Sequence, residues 1–203
     1  MIAAVILALA VFGHADCTNS NDEQSRIGAT PTQIWLQVVP VAPTRKADID
    51  TMIAAAAAIW APYNVIVSPV LSRERPEIQS GQWITLVLRS QPANQIDGRT
   101  PRGRVALASL TFIEKSPGNM MYASLEAARQ TLQRSGWLNS PREQLAAQLL
   151  GRAIAHELGH YLLQSSSHSK AGLMRASFGS VDALSDDLAR FRLLPEQAAA
   201  LHR

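Results

Sequence analysis

Residues 141–163, PREQLAAQLLGRAIAHELGHYLL, form the stretch that decides the fold. Ser140 precedes it as a predicted helix N-cap, and Pro141 suits the first helical turn. The apolar residues recur at near-helical spacing, at Leu145, Leu149, Ile154, Leu158 and Leu162. Beyond Leu163 the run Gln-Ser-Ser-Ser ends the pattern. The sequence therefore predicts one long helix with a buried apolar face.

Two histidines, His156 and His160, lie four residues apart on this helix, so both imidazoles project from the same face. Such a pair can bind one zinc ion at about 2.0–2.1 Å. Glu157 stands beside them, where its carboxylate can reach a water on the metal as a general base without being a ligand. Because zinc lowers the pKa of that water toward about 7, the pattern predicts hydrolysis of an amide. Gly159 has no side chain and leaves room for a neighbouring element to pack beneath the metal.

A catalytic zinc needs a third protein ligand and an open fourth position. His168 is the leading candidate, because it follows the Ser-rich break and the chain can turn back there toward the metal. A solvated His168 is the alternative, with an acidic third ligand supplied by Asp182, Asp186 or Asp187. His202 is interpreted as solvated, and His14 belongs to a segment expected to be removed.

Gly172-Leu173-Met174 follows His168 and supplies a glycine able to turn sharply and a methionine suited to an apolar floor under the site. Together with residues 156–163, HELGHYLL, and a third histidine, this segment resembles the metzincin clan of zinc peptidases, especially its matrixin-like members. Those proteins share the HELGH helix and have a Met-turn below the zinc. The resemblance implies that His156 and His160 bind zinc, that Glu157 is the base and that Met174 is the Met-turn residue. It also implies a protein or peptide substrate.

The third ligand departs from the family's pattern. Metzincins usually have a glycine three residues after the second histidine and the third histidine three residues later, where this chain has Leu163 and Ser166. His168 comes two residues later than that. Since the distance from His156 to Met174 equals that of matrixin-like motifs, we expect the helix to run about half a turn longer before it reverses.

The remaining pattern predicts an α+β, zincin-like fold with a mixed, twisted sheet. The predicted strands are 34–39, 65–71, 83–88, 105–113 and a short one at 120–123. Helices are predicted at 47–60, packed on the sheet, and at 124–135, with Gly136 as its stop. A small, mostly irregular or helical C-terminal part follows the active-site helix, with a last helix near Pro195.

Strand 105–113 is, by the metzincin resemblance, the expected edge strand above the active-site helix, where an extended peptide can add by backbone pairing. An interior strand fits the same pattern equally well.

The bulk composition supports one globular domain, with 203 residues of which 47% are hydrophobic and 17% charged. The net charge of +3 comes from scattered residues. The densest basic stretch, Arg99, Arg102 and Arg104, lies among glycine and proline without aromatic residues that could stack on bases, which is typical of a solvated loop. We therefore expect no nucleic-acid partner.

Residues 1–15 predict a secretory signal, because residues 1–12 are wholly apolar and Gly13-His14-Ala15 offers small residues for cleavage. An apolar run of this length is shorter than the roughly 20 residues that span a bilayer. We expect cleavage after Ala15, a secreted or periplasmic protein without stable membrane insertion, a flexible leader at 16–32 and a single catalytic domain at 33–203. Cys17 is the only cysteine, so no internal disulfide can form, and its surroundings resemble no known latency switch.

Two other functions fit the sequence. A non-catalytic exported protein could keep zinc for structure, although structural sites are usually closed by four ligands, often Cys, and have no use for Glu157. A zinc amidase acting on cell-wall peptides is the other. No motif indicates the cleavage specificity or the oligomeric state.

Overall fold

The computed structural model describes residues 30–71, 80–92, 106–136 and 142–201. The chain divides into two units, Met1–Thr30 and Pro31–Arg203, and the description below concerns the second. The predicted signal peptide, Cys17, the basic stretch, the N-cap Ser140 and His202 lie outside the described residues.

The described part of the chain forms one five-stranded mixed sheet. Its strands are β1 Thr32–Pro40, β2 Val65–Val70, β3 Gln82–Leu88, β4 Ala108–Ile113 and β5 Ser116–Ala123. They lie in the order β2-β1-β3-β5-β4, and all neighbours are parallel except β4 and β5. Among the described strands β4 therefore lies at an edge of the sheet, as the family resemblance implies, and not in its interior.

β5 is longer than the sequence predicts, because it begins at Ser116 rather than Met120. Ser116, Pro117 and Gly118 are typical of a turn, but Ser116 and Pro117 pair with Ile113 and Phe112 of β4 in a hairpin that reverses at Glu114 and Lys115. Gly118 is needed there, because a Cβ at this position would press on the Thr111 hydroxyl of β4. Cross-strand pairing thus overrides the local propensity.

The helices confirm the predicted order. They are α1 Lys46–Trp60, α2 Leu125–Arg134, α3 Arg142–Leu162, α4 Ser180–Ala183 and α5 Pro195–Ala200. α1 buries the predicted apolar face, Ile49, Met52, Ile53, Ala56, Ile59 and Trp60. The short α4 and a 3-10 turn at Leu188–Phe191 have no counterpart in the sequence prediction. No helix in the described ranges is long and apolar enough to cross a bilayer.

α1 and α3 cross closely, and the contact positions α3 under the sheet edge. The indole Nε1 of Trp60 donates a buried hydrogen bond of 3.1 Å to the carbonyl oxygen of Ala155. At the crossing stands Gly151, where a Cβ would overlap the backbone oxygen of Met52 and the side chain of Ala55. The missing side chain therefore sets the distance between the two helices.

Gly151→Ala is expected to lower the free energy of unfolding by about 1–3 kcal/mol, because the added methyl group forces two backbones apart. This loss exceeds the roughly 1 kcal/mol that alanine gains over glycine in a helix. Denaturant unfolding followed by circular dichroism measures the change. Gly179→Ala is the matched control, since no atom lies within 4 Å of the added carbon. Equal stability of the two variants would contradict the close crossing.

A network of charges joins the starts of α1 and α3 to α2. Arg45 donates to both carboxylate oxygens of Asp48, at 2.9 and 2.7 Å, and lies 3.5 Å from the carboxylate of Glu143. Glu143 also accepts a hydrogen bond of 3.1 Å from Arg129 of α2. Asp48 is only 3% exposed, and its hydrogen bonds from Arg45 hold its pKa below the usual value.

Asp48→Asn is expected to destabilise the protein by about 1 kcal/mol at neutral pH, a modest amount because Arg45 is exposed and screened by water. A lowered folded pKa means that the stabilisation is present above the unfolded pKa of about 4 and is lost as the pH falls through the folded pKa. The difference between wild type and variant should therefore shrink below about pH 4. Asp50→Asn, which removes an exposed carboxylate on the same helix, should change stability less at every pH.

Candidate metal centre

Three histidines meet at the C-terminal end of α3. Each offers one ring nitrogen, and these nitrogens all lie within 4.8 Å of one another. The Nε2 atom of His156 lies 3.1 Å from Nε2 of His160 and 3.3 Å from Nε2 of His168. The structure thus brings together the three residues that the sequence predicts as ligands, and these three side chains could bind a metal ion.

Backbone carbonyls fix the tautomers of the two helical histidines. Nδ1 of His156 lies 2.7 Å from the Leu173 oxygen, and Nδ1 of His160 lies 2.7 Å from the Ser165 oxygen. A carbonyl oxygen can only accept, so each Nδ1 donates and each Nε2 is left with a lone pair. Two lone pairs facing each other at 3.1 Å repel unless a cation lies between them.

The donor set fits zinc. Two nitrogens at about 2.0–2.1 Å from one tetrahedral ion lie roughly 3.3–3.4 Å apart, close to the spacings found here. Burial lowers the pKa of His156 to about 4 and also lowers that of His160. Both rings are therefore neutral at physiological pH, which is the form that binds metals.

His168 lies two residues beyond the position where metzincins usually have their third histidine. The way α3 ends explains how it still reaches the cluster. The chain reverses at Gln164, which has a left-handed φ of 50°, one residue beyond Leu163. The amide of Ser165 then donates to the His160 oxygen at 3.1 Å and closes the helix. The helix is therefore extended by one residue rather than by the expected half turn. The other of the two extra residues before His168 lies in the loop 165–167. Ser166 is exposed.

The acidic alternatives lie elsewhere. Within the described ranges the metal-capable cluster contains only the three histidines. Asp182 forms ion pairs with Arg175, at 3.3 Å, and with Arg190, while Asp186 and Asp187 are exposed.

Met174 lies under α3, as the sequence predicts for an apolar floor. Its side chain is 1% exposed, and its sulfur occupies the space that a Cβ at Gly159 would need. Gly172 turns the chain with a φ of +73°, at a position where a Cβ would overlap the Arg192 oxygen. The amide of Ser169 donates to the Met174 oxygen at 2.8 Å. The turn thus ties the loop of His168 to Met174, the neighbour of Leu173, whose oxygen orients His156.

Glu157 faces β4. Its Oε2 atom accepts a hydrogen bond of 2.9 Å from the backbone amide of Leu110. Burial raises the pKa of Glu157 to about 7, against the lowering effect of this hydrogen bond. Among the described residues no cation pairs with this carboxylate. Such a group can take up and release a proton near neutral pH.

A cavity of about 610 Å³ opens beside the cluster and is lined by His156, Glu157 and His168. Its wall also contains Arg152, Arg175 and Phe178, which the sequence analysis did not single out. The sequence could have indicated Arg152, because a residue one helical turn before His156 lies on the same face of the helix as the histidines.

The fold of this chain is also found in a solved structure. No family model matches the chain, and no curated protein matches it. It is similar to the crystal structure of archaemetzincin from Methanopyrus kandleri, with a TM-score of 0.51 and 14% sequence identity. The similarity covers 86% of this chain and 95% of that one. At this identity it shows the fold, and it confirms the predicted α+β, zincin-like class.

Proposed function

We propose that this protein is an exported, zinc-dependent peptidase in which His156, His160 and His168 bind the metal and Glu157 is the general base. The observation that carries the proposal is the convergence of three histidine ring nitrogens beside a half-buried carboxylate with no cationic partner among the described residues. The likeness to a protein named archaemetzincin supports it at the level of fold. Membership of the matrixin-like group rests on the sequence motif alone.

A bound zinc ion would polarise the scissile carbonyl and lower the pKa of a water molecule. Residues of this chain would carry out the proton transfers. Leu110 holds Oε2 of Glu157, which leaves Oε1 to take the proton from water and pass it to the leaving amine. A carboxylate without a cationic partner among the described residues is free to perform both transfers.

β4 would hold the substrate. It is one of the two edge strands of the described sheet, and the backbone amide of its Leu110 donates to Glu157. An extended peptide lying along this edge can pair with it through main-chain hydrogen bonds, whatever its sequence. Such pairing would bring a scissile bond near the carboxylate and the three histidines.

Export of the protein rests on residues 1–15, whose apolar run and small residues suit a cleaved signal. A secreted or periplasmic location follows from that cleavage. N-terminal sequencing of the protein recovered from the medium or periplasm tests this step, and Asp16 is the expected first residue.

Metal analysis combined with a broad peptide-cleavage assay tests the function. The purified mature chain should contain about one zinc per molecule, lose cleavage on treatment with a chelator and regain it when zinc is added. Zinc without cleavage of any peptide would favour the non-catalytic binding protein. Cleavage restricted to cell-wall peptides would favour the amidase. A chain that binds no zinc would overturn the proposal.

A further inference from the structure

Two arginines line the cavity beside the three histidines. Arg152 lies one helical turn before His156, and Arg175 follows Met174 directly. Among the described residues, Glu157 is the one acidic side chain that lines this cavity. One of its carboxylate oxygens already accepts a hydrogen bond from the Leu110 amide. The proposed metal would add further positive charge. The cavity is therefore suited to an anionic group.

Arg152 is held by several contacts, and within the described part of the chain its charge is offset only by the carboxylate of Asp186, which does not form an ion pair with it. It is only 8% exposed, donates to the backbone oxygen of Ala183 and stacks over the ring of Phe191 at 4.9 Å. Among the described residues no carboxylate lies within 4.0 Å of its guanidinium. A buried guanidinium without an anion is costly, and an arriving carboxylate would offset that cost.

Arg175 has unused donors. Its Nη1 atom lies 3.3 Å from the carboxylate of Asp182, and its guanidinium lies over the ring of Phe178 at 4.0 Å. Nε and Nη2 are buried and have no hydrogen-bond partner among the described residues. Buried donors without an acceptor are rare in folded proteins, and a carboxylate in the cavity would supply one once the Arg175 side chain turned toward it.

We infer that this cavity binds a carboxylate of the substrate next to the scissile bond, with Arg152 and Arg175 as the specificity-determining residues. The inference rests on the proposed peptidase function and adds its substrate class. Guanidinium groups bind carboxylates through paired, charge-assisted hydrogen bonds, which are about twice as strong as neutral ones. The carboxylate can belong to an acidic side chain or to the C-terminus of a peptide, because both present the same planar group.

Peptide binding to the zinc-loaded Glu157→Gln variant tests the inference without requiring cleavage. Two peptide sets that differ only by Glu or Gln at each position are titrated by calorimetry, each with a free and an amidated C-terminus. We expect about tenfold tighter binding for the carboxylate at one position. A preference that follows internal Glu assigns a side-chain site, and one that follows the free C-terminus assigns a terminal site. Equal affinity for all four kinds of peptide overturns the inference.

Variants assign the preference to the arginines. Arg152→Gln and Arg175→Gln, each added to Glu157→Gln, should reduce the ratio of Glu to Gln affinities to about one. Arg129→Gln, an arginine of α2 paired with Glu143 outside the cavity, should leave the ratio unchanged. If Arg152→Gln does not fold, Arg152→Met and Arg175→Gln carry the test, since methionine keeps an apolar stem for packing but removes the charge. A ratio that survives in every folded cavity variant overturns the assignment.

Cleavage profiling separates this inference from the function on which it rests. A wild-type chain that cleaves peptides with no acidic or terminal preference contradicts the inference alone. A wild-type chain that cleaves nothing contradicts the peptidase proposal, while the binding titrations still decide whether the cavity recognises a carboxylate.

Discussion

Glu157→Gln is expected, like the wild type, to bind about one zinc per chain, and to lose peptide cleavage by a factor of roughly 10²–10⁴. The amide keeps the size of the carboxylate and can keep the contact with the Leu110 amide, but it cannot take a proton from water. Metal content and initial cleavage rates, measured on the same preparation, separate loss of the base from loss of the metal.

Glu143→Gln is the matched control for this experiment. It makes the same chemical change on the same helix, in the first turn of α3, where Glu143 pairs with Arg129. Its cleavage rate and zinc content should equal those of the wild type once the folded fraction is taken into account. Retention of cleavage by Glu157→Gln would remove Glu157 from the mechanism.

His168→Ala should weaken zinc binding by at least about 100-fold, because the chain then offers two nitrogens where a catalytic zinc needs three ligands. Competition with a chelator of known affinity measures the change. The fold should persist, since the side chain of His168 is exposed and lies in a loop.

Ser166→Ala is the control for His168→Ala, because Ser166 occupies the position where metzincins usually have their third histidine. Its side chain is exposed, and the variant should bind zinc like the wild type. Weakened binding in Ser166→Ala together with normal binding in His168→Ala would contradict the ligand set proposed here.

The sequence predicts the helical elements well, because their signals are local. The spacing of His156 and His160 on a helix is enough to align two imidazoles, and the apolar period of α1 predicts the face that it buries. Gly159 and Gly172 could likewise be interpreted from their missing side chains, and the structure places Met174 and the Arg192 oxygen in the space that each leaves.

The remaining features depend on contacts between distant parts of the chain, which no local pattern indicates. The first half of β5 forms only because β4 pairs with it. The left-handed residue that ends α3 is Gln164, which has low intrinsic preference for that conformation. Arg152 becomes part of a cavity wall through contacts with Ala183 and Phe191, more than 30 residues further along the chain.

Zinc K-edge X-ray absorption on the purified protein tests the central claim most directly. We expect three imidazole nitrogens and one oxygen at about 2.0–2.1 Å from the zinc, with no sulfur ligand, and loss of one imidazole in His168→Ala. A spectrum with a sulfur ligand, or with fewer than three imidazoles in the wild type, would contradict it.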